Sequence, residues 1–183
     1  EIESFNARFV HSKGHNGEPY MPFFNELTKN GMYVENFFGN SIQTARGQFT
    51  ILSGILPSYK RKVFDEFLQN SFYALPAALS DYGFETIFFQ ASGSLSFDNT
   101  GEAMQAMGFD TITTANKFVQ KRHPAWAGYP MPDVQFYEAF FTYLDKKKIE
   151  NKPFFAFLPT IVTHSKFKIP SSKRAFYRNP SNK

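Results

Sequence analysis

The sequence predicts an α/β chain, a mainly parallel sheet flanked by helices. Two observations carry that prediction. Helix-like segments alternate with short β-rich runs along most of the 183 residues, the order expected of a layered α/β fold. Glycines also stand where helices should stop, at Gly31, Gly54, Gly83 and Gly108, a position at which a residue free to turn left-handed ends a helix readily.

Taken in order, Glu1-Ile2-Glu3 reads as the end of a first strand. A helix begins near Pro22, with proline well placed in its first turn, and stops at Gly31. Met32 to Phe38 reads as a Phe-rich strand. Ala45 to Ser53 is a helix, stopped by Gly54. Tyr73 to Tyr82 forms another, closed by Gly83, and the strand Glu85 to Gln90 follows. Thr100 to Met107 is a short helix closed by Gly108, with a minor strand at Phe109 to Ile112. Asp133 caps a long helix running through Lys148, and Pro153 precedes the buried strand Phe154 to Leu158. Helix, Tyr82-Gly83-Phe84 and helix, Met107-Gly108-Phe109 echo each other without making a repeat. No linker composition divides the chain, so it reads as one domain over 1–183, with 171–183 as a disordered or loop tail.

Composition narrows the chemistry. The chain has no cysteine, which excludes disulfides, thiolate zinc sites and thiol catalysis. Phenylalanine, at 24 residues, supplies area to bury but no reactive group. No apolar run approaches the roughly 20 residues of a membrane-spanning helix. The net charge of +4, concentrated in Lys60-Arg61-Lys62 and from Lys166 to Lys183, suits anionic headgroups or polyanions, although charge runs are commonly plain solvated surface. Nucleic acid is not expected, because the basic residues form no aromatic-interleaved stripe.

Asn40 to Pro57 is the most informative stretch. It lifts the hydroxyl of Thr44 to the start of a helix, where free N–H groups favour an anion such as phosphate or sulfate. A hydroxyl there is either a helix cap or, if a base or metal lowers its pKa, a nucleophile. In doubly wound sheets ligands gather at the carboxyl ends of strands. Glu3, Thr44 and His164 all fall at such ends in this reading. Glu3 can also be a solvent-facing strand end, and His164 a loop residue. His11 and His15 have the i, i+4 spacing of a zinc pair, but Gly14 and Gly17 argue against a helix there. The loop around His123 and Trp126 either lines a substrate mouth or is ordinary surface.

Three segments together carry a family resemblance: Glu3-Ser4-Phe5; Pro22-Phe23-Phe24-Asn25-Glu26-Leu27 opening a helix, followed by Thr44; and Thr160-Ile161-Val162-Thr163-His164. In that order they resemble the extracellular enzyme domain of lipoteichoic acid synthase-like phosphoglycerol transferases, within the sulfatase and alkaline phosphatase superfamily. The resemblance runs from Glu3 to about Pro170. It implies an alkaline-phosphatase-like sheet, incomplete at its carboxyl end, on the extracytoplasmic face of a bacterial membrane, with tethering segments before Glu1. It also implies that Glu3 and Thr44 hold a divalent cation, Mn2+ or Mg2+. By the same resemblance Thr44 would attack a phosphodiester, and His164 would contact the substrate, an anionic lipid headgroup or glycan. Arg46 is a weaker substrate-binding candidate.

The departures are informative. Family members carry a Trp and an Arg where Asp98 and Thr100 stand here, so a bidentate phosphate grip is lost and the donor is left open. True sulfatases oxidise a Cys or Ser to formylglycine. The matching position here is Thr44, whose β-methyl forbids that product, and their following arginine falls at Gln48. The family completes its metal site with a downstream Asp-His pair, and no Asp-His dipeptide occurs in these residues. The resemblance therefore implies the amino-terminal portion of a longer enzyme domain, with a half-built metal site. The expected activity is a metal-dependent phosphoryl-group transferase. A hydrolase of phosphate or sulfate esters and a non-catalytic envelope-binding domain are the alternatives.

Overall fold

A computed structural model describes residues 1–66, 69–91, 94–119, 131–147 and 152–164. The chain divides into two compact units, one formed by Glu1–Glu3 with Asn40 onward, the other by Ser4–Gly39.

The larger unit is built on a parallel sheet of three strands: β1 (Glu85–Gln90), β2 (Thr111–Thr114) and β3 (Phe154–Phe157). Their order is β2-β1-β3. Ile87 stands opposite Thr111 on one side and Ala156 on the other. Parallel sheets need cover on both faces, and the alternation within β1 provides for it. Phe88 points into a cluster with Phe49 and Leu52 of helix α2 (Thr44–Ser53), Val63 and Phe64 of α3 (Val63–Glu66), and Met104 of α5 (Thr100–Ala106). Ile87 and Phe89 point the other way, onto α6 (Asp133–Lys147). Phe136, Ala139, Phe140 and Tyr143 form the buried stripe of α6, spaced i, i+3, i+4, i+7 as a core-facing helix requires. Phe89 meets the rings of Phe136, Phe140 and Tyr143 at centroid distances of 5.7, 5.3 and 5.5 Å. Each such ring removed from water contributes about 1.5–3 kcal/mol, so the phenylalanines act as the core of a three-layer α/β/α arrangement.

The echo around Gly83 and Gly108 has one cause. After α4 (Leu75–Asp81), the Phe84 N–H donates to Leu79 O at 3.1 Å and the Gly83 N–H to Ser80 O at 2.9 Å. After α5, the Phe109 N–H donates to Met104 O at 3.3 Å and the Gly108 N–H to Gln105 O at 3.0 Å. Both are glycine-centred helix closures of the Schellman type, with φ of 84° and 87°.

The first strand is present as hydrogen bonding rather than as a full element. The Glu1 nitrogen donates to Leu158 O at 3.3 Å, and Glu1 O accepts from the Thr160 N–H at 3.0 Å. This is the pattern of a parallel ladder continuing past β3.

Two sequence expectations are corrected. Met32 to Phe38 is not a strand. Apart from half-buried Tyr33, its large side chains are exposed, Met32 at 94% and Phe38 at 81%, and a β-rich run with no ladder and no continuous buried face lacks what stabilises a strand. The minor strand begins at Thr111 rather than Phe109, because Phe109 completes the helix closure and Asp110 turns to bind Thr86. The Asp110 carboxylate accepts from the Thr86 N–H and hydroxyl, both at 2.9 Å.

The unit Ser4–Gly39 contains a short 3-10 turn (Ala7–Phe9), an isolated antiparallel bridge between Lys13 and Pro19, and α1 (Pro22–Asn30). Phe5 packs on Phe24 at 4.9 Å and Phe9 on Tyr20 at 5.5 Å. His11 is held within it: its backbone N–H donates to Asn25 Oδ1 at 2.9 Å and its ring lies 3.3 Å from Thr28 Oγ. His123, Trp126 and the 171–183 tail lie outside the described residues.

Candidate active site

Thr44 is the first residue of α2, not its cap. Gln43 occupies the capping position and makes no side-chain capping bond. The Thr44 hydroxyl is thereby released from capping, and it donates to Glu3 Oε2 at 3.0 Å. Among the described residues, this joins two of the three predicted site positions side chain to side chain at the carboxyl edge of the sheet.

Glu3 is held by the loop that follows β3. Its N–H donates to Thr160 Oγ at 3.1 Å, and its carbonyl accepts from the Thr163 hydroxyl. His164 is the next residue, and its N–H donates to Ile161 O at 3.0 Å, closing the turn. The turn is also fastened from α6, where Asp133 Oδ1 accepts from the Ile161 N–H at 3.5 Å. Burial pushes the Asp133 carboxyl above its ordinary range, and backbone N–H groups of Ile161 and Val162 offset part of that rise.

One turn along α2, buried Gln48 donates from Nε2 to Glu1 Oε2 at 3.0 Å. Desolvation raises the Glu1 carboxyl, with the Gln48 hydrogen bond acting against it. Gln48, at the position that matches the sulfatase arginine, thus ties α2 to the residue two before Glu3.

Arg46 turns elsewhere. Its Nη2 donates to Tyr59 O at 3.0 Å and Arg61 O at 3.2 Å, and its guanidinium lies 5.7 Å from the Tyr59 ring centroid. A phosphate contact would have to use its remaining N–H groups.

Where the resembled family carries its Trp and Arg, at Asp98 and Thr100, Asp98 and the intervening Asn99 adopt left-handed backbone with φ of 52° and 51°. Asn99 Nδ2 donates to Asp65 Oδ1 at 2.8 Å, and Lys62 Nζ lies 3.8 Å from both Asp65 and Asp98. The Thr100 hydroxyl donates to Phe97 O at 2.8 Å. The segment is folded around its own carboxylates. This charge cluster was missed in the sequence, because it joins positions more than thirty residues apart.

The donor set fits a hard divalent cation. Octahedral Mg2+ with ligands at about 2.1 Å places adjacent ligand oxygens roughly 3.0 Å apart. Glu3 Oε2 and Thr44 Oγ are 3.0 Å apart, and carboxylate and hydroxyl oxygens are the donors such ions take. No group of three or more His, Cys, Asp or Glu side chains able to hold a metal occurs among the described residues. Glu3 and Thr44 would supply two of the oxygens such an ion takes.

Residues 2–182 match the sulfatase family. The chain belongs to the sulfatase family. Among solved structures, this sulfatase-family chain is similar to the lipoteichoic acid synthase LtaP from Listeria monocytogenes, with a TM-score of 0.83 and 24% identity over 94% of this chain and 42% of that one. It is also similar to a protein in the alkaline phosphatase superfamily from Vibrio parahaemolyticus, with a TM-score of 0.77 and 25% identity over 94% of this chain and 41% of that one. The alkaline-phosphatase-like fold is therefore shared. The sulfatase-family chain spans about two-fifths of the length of either structure. No curated protein matches it. Among the described residues no helix is long and apolar enough to cross a membrane.

Proposed function

We propose that this sulfatase-family chain carries the nucleophile half of a metal-dependent phosphoryl-group transferase, with Thr44 as nucleophile. The observation that carries the reading is the 3.0 Å hydrogen bond between Thr44 Oγ and Glu3 Oε2, at the start of a helix with no side-chain cap.

Glu3 and Thr44 would hold Mn2+ or Mg2+ in this reading. Such an ion lowers the pKa of a bound hydroxyl and neutralises charge on the phosphoryl oxygens. The Thr44 hydroxyl gives up its proton as its oxygen bonds to phosphorus, the bond to the leaving oxygen breaks and that oxygen takes up a proton, giving a phosphothreonine. An acceptor hydroxyl then attacks that phosphorus and frees Thr44. The unsatisfied N–H groups at the start of α2 face the anion, and His164 contacts the phosphate or the leaving group. The substrate is an anionic lipid headgroup or a glycan phosphate, met at the extracytoplasmic face of the bacterial membrane by a protein tethered there.

Transfer to water is the second reading. The observation favouring it is the folded-in segment at Asp98 to Thr100, which offers no arginine to grip a glycerol phosphate donor.

Phosphodiester turnover by the full-length protein in Mn2+, before and after Thr44→Ala, tests the assignment. Thr44 is exposed, so the variant stays folded by circular dichroism while turnover falls at least ~10³-fold. Retained turnover overturns it. A glycerol phosphate adduct among the products marks a transferase, a free phosphate ester a hydrolase.

A further inference from the structure

The two threonines of Thr160-Ile161-Val162-Thr163 do something that neither their type nor their spacing announces. Thr160 is buried, 5% exposed, and its Oγ accepts the Glu3 N–H at 3.1 Å. Its own N–H donates at 3.0 Å to the carbonyl of Glu1. Thr163 reaches back with its hydroxyl to the Glu3 carbonyl. Both backbone polar groups of Glu3 are therefore taken by side chains of one short turn, whereas Glu1, two residues earlier, is held by backbone partners. The ladder gives way to side chains at the residue whose carboxylate meets Thr44.

The reason is geometric. Past β3 the chain must turn away toward His164, so its backbone can no longer run beside the first strand and pair with it. Hydroxyls on the turn restore the lost hydrogen bonds at a distance the backbone cannot reach. The turn is not free to drift, because Asp133 at the start of α6 accepts from the Ile161 N–H, and α6 is packed on the sheet through Phe136 and Phe140.

We propose that Thr160 and Thr163 are positioning residues that clamp the backbone of Glu3, fixing its carboxylate against Thr44 so that the pair meets a divalent cation preformed. The inference rests on the reading of Glu3 as a cation ligand. Groups that orient a metal ligand without touching the metal typically change metal affinity by about 10- to 100-fold when removed. Thr160 acts through the Glu3 N–H and Thr163 through its carbonyl, so each contributes separately.

The test is Mn2+ affinity of the full-length protein, read by isothermal titration calorimetry and by the electron paramagnetic resonance signal of free Mn2+. Thr160→Val removes the acceptor at nearly constant volume, and Thr160→Ser keeps it. The expected results are a dissociation constant about 10-fold or more weaker for Thr160→Val and for Thr163→Val, with Thr160→Ser within about threefold of the parent. Thr163 is exposed, so Thr163→Val carries the test if Thr160→Val does not fold. Glu3→Gln separates the two layers of the argument. If Glu3→Gln binds Mn2+ like the parent, the cation reading itself fails and the clamp with it. If Glu3→Gln loses Mn2+ while folded Thr160→Val and Thr163→Val keep parental affinity, the clamp alone is overturned.

Discussion

The hydroxyl of Thr44 donates to the carboxylate of Glu3 at 3.0 Å across a separation of 41 residues. One group stands at the end of the first strand's hydrogen bonding, the other at the start of α2. They meet because parallel α/β topology brings strand ends and helix starts to the same edge of the sheet. The meeting is reinforced on either side. Gln48 ties α2 to Glu1, and the turn after β3 holds the backbone of Glu3.

Gly108 is a position where only glycine fits. Its φ is 87°, and an added Cβ would lie 2.6 Å from the Cβ of Ala77. Gly108→Ala therefore combines backbone strain with a clash between α4 and the end of α5, destabilising the protein by roughly 2–4 kcal/mol. Chemical denaturation measures this, and Gly17→Ala, at a left-handed position with open space around it, should lose only the backbone part.

Thr86 and Asp110 form a buried polar link between β1 and the start of β2. Thr86 is fully buried, its hydroxyl donating to Asp110 Oδ2 at 2.9 Å and accepting from the Asp110 N–H at 3.0 Å. Thr86→Val leaves that N–H unpartnered and removes a charge-assisted bond. The expected loss is about 1–3 kcal/mol, read as a lowered denaturation midpoint at unchanged slope.

Stability should carry a pH signature from Asp133. Its carboxyl is raised from an ordinary value of 3.8 by burial, against the N–H groups of Ile161 and Val162. Across the interval from 3.8 up to the raised value, the folded state binds more protons than the unfolded one. Stability attributable to this group therefore falls as pH rises through that interval. Asp133→Asn should remove this component while its side-chain oxygen still accepts from the Ile161 N–H. Denaturation series at several pH values check this, and an unchanged difference between acid and neutral pH in the variant would exclude the assignment.

Much of the core was readable from residue order. The helices starting at Pro22 and Asp133, the strand Glu85–Gln90 and the helix stops at Gly54, Gly83 and Gly108 all follow from periodicity and glycine placement. The run Met32 to Phe38 misled because its composition is that of a strand, while strand formation depends on a partner and a buried face that composition does not report. The Glu3–Thr44 pair was visible only through the order of motifs, since no local pattern links residues that far apart. The roles of Thr160, Thr163 and Asp133 depended on the path of the turn after β3, and the sequence pointed past them to His164. The sequence offered Arg46 as a weaker substrate-binding candidate and could not show that its Nη2 also braces the Tyr59–Arg61 backbone.

Direct detection of the covalent intermediate tests the central claim best. The full-length protein is mixed with a phosphodiester donor and Mn2+, quenched in acid during turnover, and the peptide containing Thr44 is analysed by tandem mass spectrometry. The account predicts a phosphoryl-group adduct on the Thr44 oxygen that disappears when acceptor is added in excess and never forms in Thr44→Ala. Turnover with Thr44 unmodified at every time point, or an adduct on another side chain, would contradict it.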